Sequence, residues 1–134
     1  MHADRPFPSP AADDRCPCTS GSTFAECCGP ILSGAPAPTA VQLMRSRYTA
    51  FVVGAAPYLL ATWHPSTRPD RLDLDPSIRW RSLEIVRTER GGPLDREGLV
   101  EFAARYAADG ERGVQRETSR FLREDRWRYV DAVD

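Results

Sequence analysis

The chain has 134 residues, with 18 basic and 19 acidic side chains and a formal net charge of −1. This length fits one domain with room for a small additional module, and the near-neutral charge gives no general attraction to nucleic acid. Every basic residue is arginine, which excludes chemistry that needs a lysine, such as Schiff-base catalysis or a Walker-type phosphate loop.

The first third of the chain divides by composition. Residues 1–14 are polar and rich in proline, which predicts a flexible N-terminus without the apolar run of a signal peptide. Residues 15–30 hold all four cysteines, and the Gly/Pro/Ala composition of residues 31–38 is typical of a linker. No stretch approaches the roughly 20 apolar residues of a transmembrane helix, so we expect a cytoplasmic protein with no membrane partner.

Helical signals come first in the remaining segment, residues 39–134. Thr39 and Gln42 have capping-box spacing, which predicts a helix that begins at Thr39 and ends near Gly54. Pro57 suits the first turn of a second helix, which Pro65 would end.

Alternating apolar and polar residues from Trp80 onward predict about four antiparallel strands. The alanine-rich segment 97–108 also suits a helix, but turn signals at 91–92 and 109–110 favour a strand. The last strand is predicted within 126–133. Helices followed by a strand meander predict an α+β fold for residues 39–134.

The cysteines form two close pairs, Cys16-Pro17-Cys18 and Cys27-Cys28, within 13 residues. Four thiolates at this spacing can close a tetrahedral Zn²⁺ site, and a site with four protein ligands is structural because it leaves no open position. Disulfide cross-pairs such as Cys16 with Cys28 are the open alternative, although the expected cytoplasmic location disfavours them.

The cysteine segment resembles the SEC-C zinc motif. Besides the four cysteines, Gly21 and Phe24 of this chain stand where that motif has a glycine and an aromatic residue. The best-known copy of this motif docks a chaperone onto a protein-translocation motor, so the resemblance implies a protein partner. The lysines that surround the aromatic residue in that copy are absent here.

The rest of the chain resembles the YchJ family of bacterial proteins. The resemblance is carried by segments 43–52, 58–69, 80–86, 100–106 and 117–132. It implies a cone-shaped domain similar to nuclear transport factor two, also called a cystatin-like cone, in which a strongly bent antiparallel sheet wraps around helices. It implies no established activity.

Cones of this kind often enclose a pocket between helix and sheet. The acid/base candidates for such a pocket are His64, Glu117 and Asp131, with Arg45 and Arg47 as the expected partners of the two acids. The predicted pocket lining consists of Arg45, Arg47, Tyr48, Trp63, His64, Phe102, Glu117, Phe121 and Trp127. No complete catalytic set stands at a diagnostic spacing, so the sequence favours a protein that is not an enzyme.

Three functions are consistent with these observations. The first is a zinc-binding adaptor, in which the cysteine segment contacts a partner protein and the cone serves as scaffold. The second is a cone that binds or converts a small molecule, and the third is a nucleic-acid or ribosome contact, which the lack of lysine disfavours. A homodimer through Leu83 and Ile85 on the outer face of the sheet is a further expectation, by analogy with other cones.

Overall fold

A computed structural model gives the structure of residues 7–133, so residues 1–6 of the predicted flexible segment lie outside the described residues. Residues 7–14 contact the rest of the chain. The ring of Phe7 lies over Gly54, and the backbone N–H of Phe24 donates to the carbonyl of Asp14 over 2.8 Å.

The longest helix begins and ends where the sequence predicts. Helix α2 spans Ala40–Val53, and the Oγ1 atom of its N-cap Thr39 accepts a hydrogen bond from the backbone N–H of Gln42 over 3.1 Å. Gly54 ends the helix with a φ of 77°, a left-handed conformation that glycine adopts without a steric cost.

Three shorter helical segments flank α2. A 3-10 helix spans Phe24–Glu26, and α1 spans Cys28–Leu32, so α1 extends two residues into the segment predicted as linker. Helix α3 spans Ala56–Ala61 and is shorter than predicted, since its C-cap is Thr62. No helix of residues 7–133 is long and apolar enough to cross a bilayer.

Four strands form one antiparallel meander in the order β1-β2-β3-β4. They span Arg79–Arg90 (β1), Glu97–Ala108 (β2), Glu111–Arg123 (β3) and Trp127–Ala132 (β4). The ambiguous segment 97–108 is therefore a strand, as the flanking turns indicated. Register shifts interrupt β1 twice and the β3–β4 pair once, and such bulges increase local twist and bend the sheet around α2. The predicted α+β cone is confirmed.

The core lies between α2 and the concave face of the sheet. Phe121 and Trp127 are almost fully buried there, together with Val100 of β2. Leu83 is 5% exposed, and Ile85 packs against the same core. The expectation that Leu83 and Ile85 lie on the outer face of the sheet and form a homodimer surface is therefore wrong. The face of β1 that carries them packs inward against the helices.

The start of α2 is fixed by a close glycine contact in the β1–β2 hairpin. A Cβ on Gly98 would lie 2.6 Å from the Cα of Gly91 and 3.3 Å from the Cβ of Ala40. The backbone N–H of Ala40 donates to the carbonyl of Gly91 over 2.9 Å, so the hairpin and the helix N-terminus share this contact.

We expect Gly98→Ala to lower the free energy of unfolding by about 1–3 kcal/mol, because the added methyl group overpacks the contact with Gly91. Urea denaturation monitored by circular dichroism would measure the loss. Gly92→Ala in the same hairpin is the control, since its nearest contact would be 3.4 Å from Asp95. Equal stability of the two variants would contradict the prediction.

Candidate metal centre and cone cavity

The four cysteine sulfurs meet in one cluster. Cys16 and Cys18 lie on the loop before the 3-10 helix, Cys27 follows that helix, and Cys28 opens α1. All four Sγ atoms lie within 4.8 Å of one another, with Cys18 and Cys27 separated by 3.6 Å and Cys27 and Cys28 by 4.0 Å.

These separations match a metal site better than a disulfide. A tetrahedral site with Zn–S bonds of about 2.3 Å requires sulfur atoms about 3.8 Å apart. A disulfide requires about 2.05 Å, and all four cysteines are free thiols. Three of the four residues are buried, so the donor set is a compact group of four sulfurs that could hold a metal ion.

Helix α2 contributes a hydroxyl to the cluster. The hydroxyl of Thr49, which is fully buried, donates to the Sγ of Cys28 over 3.3 Å and lies 3.9 Å from the Sγ of Cys16. Hydrogen bonds of this kind stabilise thiolate ligands and orient them toward a metal.

Two further donors reach the cluster. The Nη1 of Arg45 lies 3.8 Å from the Sγ of Cys18 and donates to the carbonyl of Cys18 over 3.1 Å. The hydroxyl of Ser20 lies 3.3 Å from the Sγ of Cys27. Arg45 therefore faces the cysteine cluster and not the cone pocket that the sequence assigned to it.

Hydrogen bonding and burial shift the pKa values of Cys18 and Cys27 in opposite directions. The thiols of Cys16 and Cys28 hold the pKa of Cys18 below its usual range by hydrogen bonding to its sulfur. Burial raises the pKa of Cys27. The hydrogen bonds to Cys18 thus favour its thiolate form, which is the form that ligates a metal ion.

The cysteine segment 15–30, here called the knuckle, is also attached to the sheet. Thr19 has a φ of 61°, and its hydroxyl donates to the carbonyl of Leu83 over 3.0 Å and accepts from the N–H of Leu83 over 3.1 Å. Because β1 is an edge strand, this contact covers unpaired backbone groups of the edge. Sequence reasoning missed both Thr19 and Thr49, since an isolated threonine carries no local signal of a long-range contact.

A cavity of about 200 Å³ lies between α2 and the concave side of the sheet. Four of the predicted pocket residues line it: Arg47, Trp63, Phe102 and Glu117. The other lining residues, which the pocket prediction did not include, are Met44, Phe51, Gln115, Ser119 and Tyr129.

The other predicted pocket residues lie elsewhere. Tyr48 is buried in the core and packs edge-on against Trp80, with ring centroids 6.1 Å apart. Phe121 is fully buried, and the indole N–H of Trp127 donates to the carbonyl of Pro38 over 3.3 Å.

Arg47 is the central polar residue of the cavity wall and is 4% exposed. Its Nη1 donates to the carbonyl of Leu59 over 2.8 Å and to the hydroxyl of Thr62 over 2.7 Å. The guanidinium carbon lies 4.6 Å from the ring centroid of Tyr129 and 5.1 Å from that of Trp63. Burial lowers the pKa of Arg47 to about 10, so the side chain is cationic at neutral pH.

The two acid candidates are separated by a bulge in the β3–β4 pair. Tyr129 pairs with Phe121, but Asp131 pairs with Arg120, so β4 carries one extra residue between them. Asp131 therefore leaves the face of Tyr129 and forms an ion pair with the Nε of Arg120 over 3.1 Å. Only Glu117 of the two acids lines the cavity.

His64 also lies outside the cavity lining. Its Nδ1 is 2.8 Å from the hydroxyl of Ser66, and its Nε2 is 3.4 Å from a carboxylate oxygen of Glu124. Its backbone N–H donates to the carbonyl of Tyr129 over 2.7 Å. This residue thus joins the segment after α3 to β4.

We expect Arg47→Lys to lower the free energy of unfolding by about 1–3 kcal/mol, because an ammonium group cannot reproduce the planar contacts of the guanidinium group. Urea denaturation would measure the loss. Arg81→Lys is the control, since Arg81 is exposed and has no partner among residues 7–133. If both variants unfolded at the same urea concentration, the contacts of Arg47 would not contribute to stability.

Two family models cover most of the chain. The model described as the middle, NTF2-like domain of YchJ matches residues 39–132, and the SEC-C motif model matches residues 14–30. A UPF0225 protein of Chromobacterium violaceum is 52% identical over 124 residues, covering 88% of this chain and 91% of its own length. A UPF0225 protein of Streptomyces coelicolor is 52% identical over 118 residues, covering 87% of this chain and 92% of its own length.

Two solved structures share the fold. A SEC-C motif protein from Rhodopseudomonas palustris, solved in solution, has a TM-score of 0.77 at 32% identity, covering 89% of this chain and 98% of its own. A crystal structure of a SEC-C motif protein from Psychrobacter arcticus has a TM-score of 0.75 at 26% identity, covering 90% and 82%. The knuckle, the NTF2-like cone and these relatives together show that the chain belongs to the YchJ (UPF0225) family of SEC-C motif proteins.

Proposed function

We propose that this protein is a zinc-binding adaptor, in which the knuckle holds one structural Zn²⁺ and contacts a partner protein while the cone serves as scaffold. The observation that carries the proposal is the convergence of four cysteine sulfurs within 4.8 Å. A site with four protein ligands has no open coordination position for substrate, so its role is to hold the chain together.

Zinc is the metal that this donor set favours. Four thiolates are soft ligands, and tetrahedral sulfur sites select zinc or iron–sulfur chemistry over magnesium or calcium. The hydroxyls of Thr49 and Ser20 lie 3.3 Å from two of the sulfurs and offset the negative charge of a four-thiolate site. We expect the protein to act in the cytoplasm, where thiols remain reduced.

The partner surface in this proposal is the outward side of the knuckle. Ser20, Ser22, Ala25 and Glu26 are exposed there, whereas the opposite side of the knuckle packs on α2 and β1. Arg15 is the single basic residue of the knuckle, and its Nη1 donates to the carbonyl of Gly21 over 2.9 Å. Such a surface suits a protein partner better than a phosphate backbone.

We expect one zinc ion per chain when the untagged protein is analysed by native mass spectrometry. Cys27→Ser should lose the ion, because removal of one ligand opens the site, and Cys27 is the least buried of the four cysteines. Thr23→Ala is the control, since the Thr23 hydroxyl donates to Glu26 and not to a sulfur. Each disulfide forms with the loss of two thiol hydrogens. A zinc-free protein whose mass is lower by the hydrogens lost in forming one or two disulfides would contradict the metal site.

We expect Ala25→Arg to abolish partner capture by the full-length chain, because a bulky charge would stand in the middle of the proposed contact surface. Affinity capture followed by mass spectrometry would compare this variant with Cys27→Ser and with the unaltered protein. Ala132→Arg introduces the same charge at an exposed position on β4 and is the control. Partners that survive both Ala25→Arg and Cys27→Ser would contradict a contact through the knuckle.

A further inference from the structure

The cone cavity has the size of a binding site for a molecule with a single ring. Its volume is about 200 Å³, below the roughly 300–1,000 Å³ typical of sites for drug-sized ligands. Met44 and Phe51 of α2 and Phe102 of β2 supply apolar walls. The polar lining lies on β3, where Gln115, Glu117 and Ser119 alternate, and on the facing α2.

The carboxylate of Glu117 is held in place but not saturated. Its Oε2 accepts a hydrogen bond from the hydroxyl of Ser119 over 2.6 Å and lies 3.5 Å from the hydroxyl of Tyr129. Its Oε1 has only a 3.5 Å contact with the Nε2 of Gln115 among residues 7–133. One carboxylate oxygen therefore has capacity for a further donor.

Arg47 presents unused donors on the other side of the cavity. Its Nη1 makes both of its hydrogen bonds, and no bond within the described part of the chain involves its Nε or Nη2. The guanidinium group lies against the rings of Tyr129 and Trp63, and its two Nη1 hydrogen bonds hold it there. The indole Nε1 of Trp63, another lining residue, is buried without a hydrogen-bond partner among the described residues.

The charges of the cavity select against a charged ligand. Arg47 and Glu117 are the two charged residues of the lining, and they carry opposite signs. A carboxylate or an ammonium ligand would leave one charge uncompensated beside the buried Arg47 and the partly buried Glu117, which costs more than a neutral hydrogen-bonding group. A neutral amide offers an acceptor and a donor on neighbouring atoms and would satisfy both residues.

We propose that the cone cavity binds a neutral, single-ring carboxamide or lactam, whose carbonyl oxygen accepts from Arg47 and whose N–H donates to Glu117. The apolar walls take the ring of such a molecule. This site is separate from the knuckle and does not depend on the metal or on a partner protein.

Three probes of one shape test the ligand class on the full-length protein: benzamide, benzoate and benzylamine. Titrations followed by the indole N–H resonance of Trp63 in NMR spectra should show benzamide binding about tenfold or more tightly than either charged probe. Absence of any shift at Trp63, or tighter binding of a charged probe, would overturn the proposal.

A charge-removing variant tests the stated contacts. Glu117→Gln keeps the shape of the side chain but leaves Arg47 as an uncompensated cation, so it should reverse the preference in favour of benzoate over benzamide. Glu101→Gln is the control, because Glu101 and Glu117 lie on opposite faces of the sheet. Glu101 forms ion pairs with Arg87 and Arg116. An unchanged preference in Glu117→Gln, or the same reversal in Glu101→Gln, would overturn the assignment. Should Glu117→Gln not fold by circular dichroism, the probe preference of the unaltered protein decides the question.

Discussion

The hydrogen bond from Thr49 to the sulfur of Cys28 connects the knuckle to helix α2, and the arrangement of both sites depends on this helix. Thr49 and Arg45 are four residues apart and therefore lie on one face, toward the cysteine cluster. Met44 and Arg47 are three residues apart and lie on another face, toward the cavity. A displacement of α2 would disturb the cysteine cluster and the cavity together, because one helix contacts both.

The two sites nevertheless have opposite chemical characters. The cysteine cluster is a closed set of four sulfurs, and its surrounding donors, Thr49, Ser20 and Arg45, suit an anionic metal complex. The cavity contains one cation and one anion, and its apolar walls suit a neutral occupant. The cysteine cluster and the cavity thus lie against different faces of one helix, so their different chemistries do not interfere.

A single extra residue in β4 determines the charge of the cavity. With a regular register, Asp131 would share a face with Tyr129 and add a second carboxylate beside Glu117. The bulge instead turns Asp131 toward Arg120, where the two form an ion pair on the other face of the sheet. The cavity consequently keeps one acid for its one buried arginine.

The sequence by itself determined the features that depend on neighbouring residues: the cap at Thr39, the stop at Gly54, the strand alternation and the cysteine spacing of the knuckle. Local hydrogen-bonding and side-chain periodicity are enough for these. Only the tertiary structure decided that Arg47 is buried in the cavity wall and that Leu83 faces the core, and only it revealed the contacts of Thr49. These outcomes follow from packing between segments far apart in the chain and from bulges that shift strand register, and neither leaves a mark in the local sequence pattern.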